Sequence, residues 1–160
     1  MGKYRNSLVG VAVSVAFAGV ADVAYGDCQN DTLLIAGRFG EAQFSVSVAD
    51  TSPKREQGLM HVKNLPRFDG MLFVYDAPQT TAFWMRNTLI PLDMLFADKK
   101  GVIVKIHENA IPLDETPIFG GKAIQFVLEI NGGMVGTLGI ETGSQMYHMS
   151  IDAESLDHCL

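Results

Sequence analysis

Between Phe83 and Asp93 the chain reads FWMRNTLIPLD, placing its only tryptophan, an arginine, an asparagine, a threonine, a proline and an aspartate in eleven consecutive residues. If the segment enters as a strand, Phe83 and Met85 face one way while Trp84 and Arg86 face the other. With the first pair in the core, Trp84 offers a broad indole face on which a sugar ring or flat ligand can stack. The rival arrangement covers Trp84 with the loop after residue 110 and pairs Arg86 internally. Asn87 and Thr88 suit a turn that hydrogen-bonds its own backbone. Pro91 forces Ile90 into an extended conformation, and Asp93 enters the next strand within reach of Arg86 for a charge-assisted pair.

A second carboxylate breaks an apolar run in QFVLEI, residues 125–130. By alternation Glu129 shares a face with Val127 and Gln125. A buried glutamate needs a partner, and Arg86 is the expected one. Asp93 and Glu129 could also form an acid/base pair, although no nucleophile or positioned histidine accompanies them. An internal ion network is the simpler expectation.

The elements that must position these residues are short and extended. Segments 32–36 and 42–49 read as strands joined by a turn at 37–41, the second showing Phe44, Val46 and Val48 alternating with serines. A short helix follows, capped by Thr51 or Ser52, with Pro53 in its first turn and Gly58 limiting its length. Residues 71–76 and 81–85 read as strands joined by a turn containing Pro78. Residues 93–98 and 102–109 read as a hairpin, 123–130 as a strand, 131–140 as a turn and brief helix, and 143–151 as the last strand. The long 110–122 connection is polar enough to act as a rim or lid, with IFGGK at 118–122 as a flexible turn. Short strands without βα alternation predict an all-β domain, either an antiparallel sandwich or a partly closed barrel, with one or two short helices.

The first 26 residues stand apart. Lys3 and Arg5 precede an apolar run from Leu8 to about Ala21, and small residues at Ala24 and Gly26 follow. That order is a secretory signal peptide, shorter than the ~20 apolar residues of a membrane span. Cleavage after Gly26 leaves a single domain over 27–160, periplasmic or secreted, with no stable membrane anchor. The mature chain then carries 10 basic against 17 acidic residues, a net charge of -7, which excludes a phosphate-tracking nucleic-acid surface. Cys28 and Cys159 are the chain's two cysteines and in an oxidising compartment predict a disulfide between its ends. Histidines 61, 107, 148 and 158 and the scattered methionines form no metal-ligand spacing, so no metal and no cofactor is expected.

GLM at 58–60, GMLFVYD at 70–76, FWMRNTLIPLDMLF at 83–96, VLEINGG at 127–133 and LGI at 138–140 together resemble the bacterial and archaeal family known as domain of unknown function 192. The likeness spans about Ala42 to Met146. It implies a jelly-roll-like β-sandwich, a small and often exported protein, and no established activity, cofactor or ligand. The family's characteristic residues fall here on Gly58, Met60, Gly70, Met71, Trp84, Met85, Asn87, Thr88, Pro91, Asp93, Glu129 and Gly133. Three functional classes remain open: a small-molecule or glycan-binding module on Trp84, Arg86, Asn87, Thr88, Asp93 and Glu129; a hydrolase or lyase using Asp93 and Glu129; and a cell-envelope accessory or interaction module in which the cluster is architectural.

Overall fold

The computed structural model describes residues 31–151; the leader, Cys28 and Cys159 lie outside that range. Seven strands and two short helices run in the order β1 (Thr32–Gly37), β2 (Gly40–Ala49), α1 (Ser52–Gln57), β3 (Asp69–Phe83), β4 (Leu92–Ala97), β5 (Ile103–Ala110), β6 (Ile118–Asn131), α2 (Met134–Leu138) and β7 (Gln145–Tyr147). The strands form one sheet in the order β5-β4-β6-β3-β2-β1-β7. It curls until its ends meet. Val102 bridges Gln145, and the Met146 N–H donates to the Gly101 carbonyl at 2.9 Å. The partly closed barrel is therefore the better description, and the antiparallel jelly-roll sandwich is not what forms. One pair, β2–β3, runs parallel with Ser45 opposite Asp69 and Ala49 opposite Phe73. A parallel pair needs a crossover of a dozen or more residues, and the 50–68 connection, which includes α1, supplies it.

Alternation along the strands builds two cores on opposite faces. All seven strands contribute to the first, which includes Leu33, Phe44, Leu72, Leu95, Ile103, Leu128 and Met146, and α2 adds Met134 and Val135. The second lies outside the curl, where Phe73, Met94, Phe96 and Val127 meet Leu59, Met85 and Leu92. Covering β4 on both faces buries all six of its residues, so Leu92–Ala97 reads as a continuous apolar run broken by Asp93.

Two expected turns are strand instead. Residues 69–83 form one long strand rather than two joined at Pro78. Pro78 lacks an N–H for the ladder, and the chain accommodates it in a register shift between Val74 and Gln79. IFGGK likewise belongs to β6, where Ile118 pairs with Phe83 and Gly121 with Thr81. Gly120 permits this approach, because a Cβ there would fall 2.2 Å from the Phe96 ring.

Candidate functional site

The segment after β3 turns a corner whose alternation matches the sequence reading. Met85 is fully buried. Phe83 packs edge-on against Phe73 at 5.0 Å and Phe96 at 5.8 Å between ring centroids. Trp84 points the other way, is 46% exposed, and carries the Arg86 guanidinium 5.5 Å from its ring centroid. Asn87 sits in the left-handed region at φ 55°, which asparagine tolerates better than most residues. Its carbonyl accepts the His61 N–H at 2.8 Å. Its amide reaches the Met60 sulfur at 3.9 Å. Thr88 is buried and closes the turn, its N–H donating to the Met85 carbonyl at 3.0 Å. Behind the corner the 110–122 loop is pinned by bonds from Met85 N–H to the Asp114 carbonyl, 2.8 Å, and from Leu113 N–H to the Thr88 carbonyl, 3.1 Å. The loop braces the corner, and its Pro117 lines a small hollow of about 240 Å³ with Ala82, Phe83 and Trp84.

The facing wall comes from α1. Thr51 is its N-cap and Pro53 lies in its first turn, and Gly58 ends it at φ 48°, with a hypothetical Cβ only 3.3 Å from the Phe73 ring. Between this wall and the Trp84 corner opens a cleft of about 540 Å³, lined by Gly58, Leu59, Met60, Phe73, Tyr75, Phe83, Trp84, Arg86, Asn87, Thr88 and Glu129 together with Arg55, Glu56, Gln57 and Ala82. Arg55 is committed to the scaffold: one guanidinium nitrogen donates to the carbonyls of Asp50 and Val74, both at 2.8 Å, and its plane lies 5.0 Å over the Tyr75 ring.

Glu129 is 4% exposed and lines the cleft. Across the sheet it pairs with Met71 on β3 and Met94 on β4, neither of which can neutralise a carboxylate. Gly70 lets the strands close up beside it, since a Cβ there would lie 2.6 Å from the Glu129 carbonyl oxygen. Among the described residues its side chain has no hydrogen-bond or ion-pair partner. Burial alone pushes its pKa up to about 8, because an apolar surround disfavours the charged form. Burial raises the Tyr75 phenol as well, against a smaller opposing pull from Arg55 and with a still smaller push from Glu129.

Asp93 lies elsewhere. On β4 it pairs with Ile130, whereas Met94 pairs with Glu129, so the two carboxylates point to opposite faces of the sheet. Asp93 is fully buried and accepts three backbone N–H bonds: Asn109 at 2.8 Å, Gly133 at 3.0 Å and Val135 at 2.8 Å. It caps α2 in place of the Gly133 side chain that does not exist. The corner is completed by the Gly132 N–H donating to the Pro91 carbonyl at 2.9 Å, with Gly133 at φ 81°.

The expected acid/base pair of Asp93 and Glu129 therefore does not assemble in one cleft, and Arg86 pairs with neither. Ion pairs among the described residues are Arg38–Glu141 and Lys54–Asp50. Of the expected ligand-binding residues, Trp84, Arg86, Asn87, Thr88 and Glu129 come together and Asp93 does not. Arg55, Phe73 and Tyr75 escaped the sequence reading. Alternation already put Phe73 and Tyr75 on one face, but only the β3–β6 register places that face beside Glu129.

The chain belongs to the family DUF192, described as Uncharacterized ACR, whose profile matches residues 35–148. Among solved structures it is similar to a protein of unknown function from Novosphingobium aromaticivorans, with 35% identity, a TM-score of 0.72, and coverage of 86% of this chain and 99% of that one. It is also similar to a candidate transcription regulator from Sinorhizobium meliloti, with 34% identity, a TM-score of 0.74, and coverage of 78% of this chain and 97% of that one. No curated protein matches the chain.

Proposed function

We propose that the protein is a small-molecule-binding module whose site is the cleft between α1 and the Trp84 corner. One observation carries this reading: a carboxyl group buried without a partner among the described residues lines an open cleft beside an exposed tryptophan. Structural carboxylates are satisfied within the fold; one left unsatisfied in a concave, aromatic-lined site is poised for a ligand. The cleft volume falls within the ~300–1,000 Å³ of small-molecule sites. Regulation of transcription, attached to the Sinorhizobium protein, is not carried over, because a chain of net charge -6 repels a phosphate backbone.

Trp84 is the chain's only tryptophan, so its fluorescence reports the site directly. Screening envelope glycans and periplasmic metabolites should give a hit that disappears in a folded Trp84→Ala variant. Binding that survives the substitution places the site elsewhere. We assign the module to the periplasm or the exterior on the strength of the Lys3/Arg5-led leader, with a Cys28–Cys159 bridge formed after export. N-terminal sequencing of the periplasmic protein should begin at or near Asp27. Non-reducing mass spectrometry should yield a linked peptide containing both cysteines, and alkylation of both without reduction would exclude the bridge.

A further inference from the structure

We propose that the cleft takes a small zwitterion of the amino-acid class, its ammonium seated on the Glu129 carboxylate and its anionic group on Arg86; this rests on the binding reading above. A buried carboxyl group and an arginine line one cleft and do not pair with each other. Among the described residues the Glu129 side chain has no partner, and the Arg86 guanidinium contacts the Trp84 face alone. Arg55, the other arginine of the cleft, is held on the carbonyls of Asp50 and Val74. Among the described residues Arg86 is thus the cleft arginine whose guanidinium makes no hydrogen bond, and Glu129 the buried carboxyl group that makes none.

The surroundings of Glu129 select a cation. Phe73, Tyr75, Phe83 and Trp84 line the same cleft, and aromatic faces attract an ammonium that has shed water. An ammonium offers three donors to a carboxylate that has none. A neutral saccharide leaves the Arg86 charge uncompensated, and a simple amine must enter past Arg55 and Arg86. A zwitterion answers both ends. The ionisable groups lining the cleft with Glu129 are Arg55 and Glu56 from α1, Tyr75 from β3 and Arg86 from the corner, while β4 presents the uncharged Met94.

This pairing has a proton balance. With its pKa at about 8, the empty cleft holds Glu129 as the neutral acid at pH 7. Seating an ammonium requires the carboxylate, so the carboxyl proton leaves to solvent as the ion pair forms. Affinity should then rise about tenfold per pH unit between roughly pH 6 and 8.

Titration calorimetry on the full chain tests this with free alanine, glutamate and lysine in L and D forms, and with their N-acetyl and methyl-ester derivatives, in two buffers of different ionisation enthalpy. Free amino acids should bind with release of about one proton at pH 7, and acetylating the amine should cost about a hundredfold or more in affinity. The methyl ester should bind about tenfold more weakly to the native protein and lose this disadvantage in Arg86→Gln. Glu129→Gln, checked for folding by thermal melting, should abolish both binding and proton release. Indifference to acetylation, or unchanged binding by Glu129→Gln, overturns the proposal. Neutral N-acetylglucosamine oligomers, followed by Trp84 fluorescence, separate the two readings. If they bind where amino acids do not, the zwitterion is wrong and the binding module stands; silence from the amino acids, the glycans and the broader screen defeats both.

Discussion

Asp93 and Glu129 are both acidic residues sunk in apolar strands, and β4 and β6 bring them into adjacent rungs of one ladder. Asp93 meets three backbone N–H groups on the face shared with α2. Glu129 meets Met71 and Met94 along the sheet and open space above it. The first has been absorbed into the architecture: its charge is spread over the amides of Asn109, Gly133 and Val135, which would otherwise be orphaned. The second costs the fold free energy and gains nothing from it. A buried acid that stabilises and a buried acid that destabilises look identical in a sequence, and partner count tells them apart.

The largest effect that could break this contrast is at Asp93. Asp93→Ala strips three buried N–H groups of a charged acceptor and should cost about 3–5 kcal/mol in denaturant titration; a loss below about 1 kcal/mol would show that α2 needs no cap from β4. Glu129→Gln should act in the opposite sense. The folded pKa of Glu129, about 8, lies above its ordinary value of 4.5, so the folded state holds a proton that the unfolded chain gives up between those limits. Native stability is therefore unaffected by this group below pH 4.5 and falls by about 1.4 kcal/mol per pH unit up to about pH 8. The glutamine variant lacks that slope and should be more stable by about 3 kcal/mol at pH 7. Parallel pH–stability curves for the two proteins would mean that Glu129 is solvated.

Smaller changes sharpen the picture. Gly133→Ala forces a side chain into the left-handed region at φ 81° and should cost about 1 kcal/mol by thermal unfolding, testing how tightly the N–H groups are held for Asp93. Trp84→Ala should lower stability by less than about 1 kcal/mol, since the ring is 46% exposed. If the melting temperature collapses instead, Trp84 belongs to the scaffold and the cleft loses its platform.

Most of the elements were legible because alternation and turn residues are local signals. Phe44, Val46 and Val48 announced β2, and Thr51, Pro53 and Gly58 bracketed α1. Pairing was not legible. Nothing near Ala49 or Asp69 says that their strands run parallel, and nothing near Leu34 says that Tyr147 lies beside it. The site divided along the same line. Phe83–Met85 against Trp84–Arg86 followed from strand geometry, whereas joining Arg86 to Asp93 assumed that residues close in sequence at a corner share a face. Pro91 and Asp93 instead turn toward Gly132 and Gly133, on the far side of the sheet from Glu129.

The meeting of β1 with β7 also sets an order of events. Leu34, Ile35 and Ala36 find one neighbour at once in β2 but the other only in residues 145–147. Every intermediate that lacks β7 leaves one side of β1 with unpaired backbone groups. Closing that long loop before its contacts repay the entropy makes folding slow, on the millisecond-to-second scale of sheet proteins dominated by distant pairings. The chain cannot complete the sheet until Gln145 to Tyr147 reach β1, so the last strand acts as the latch that decides when this protein becomes native.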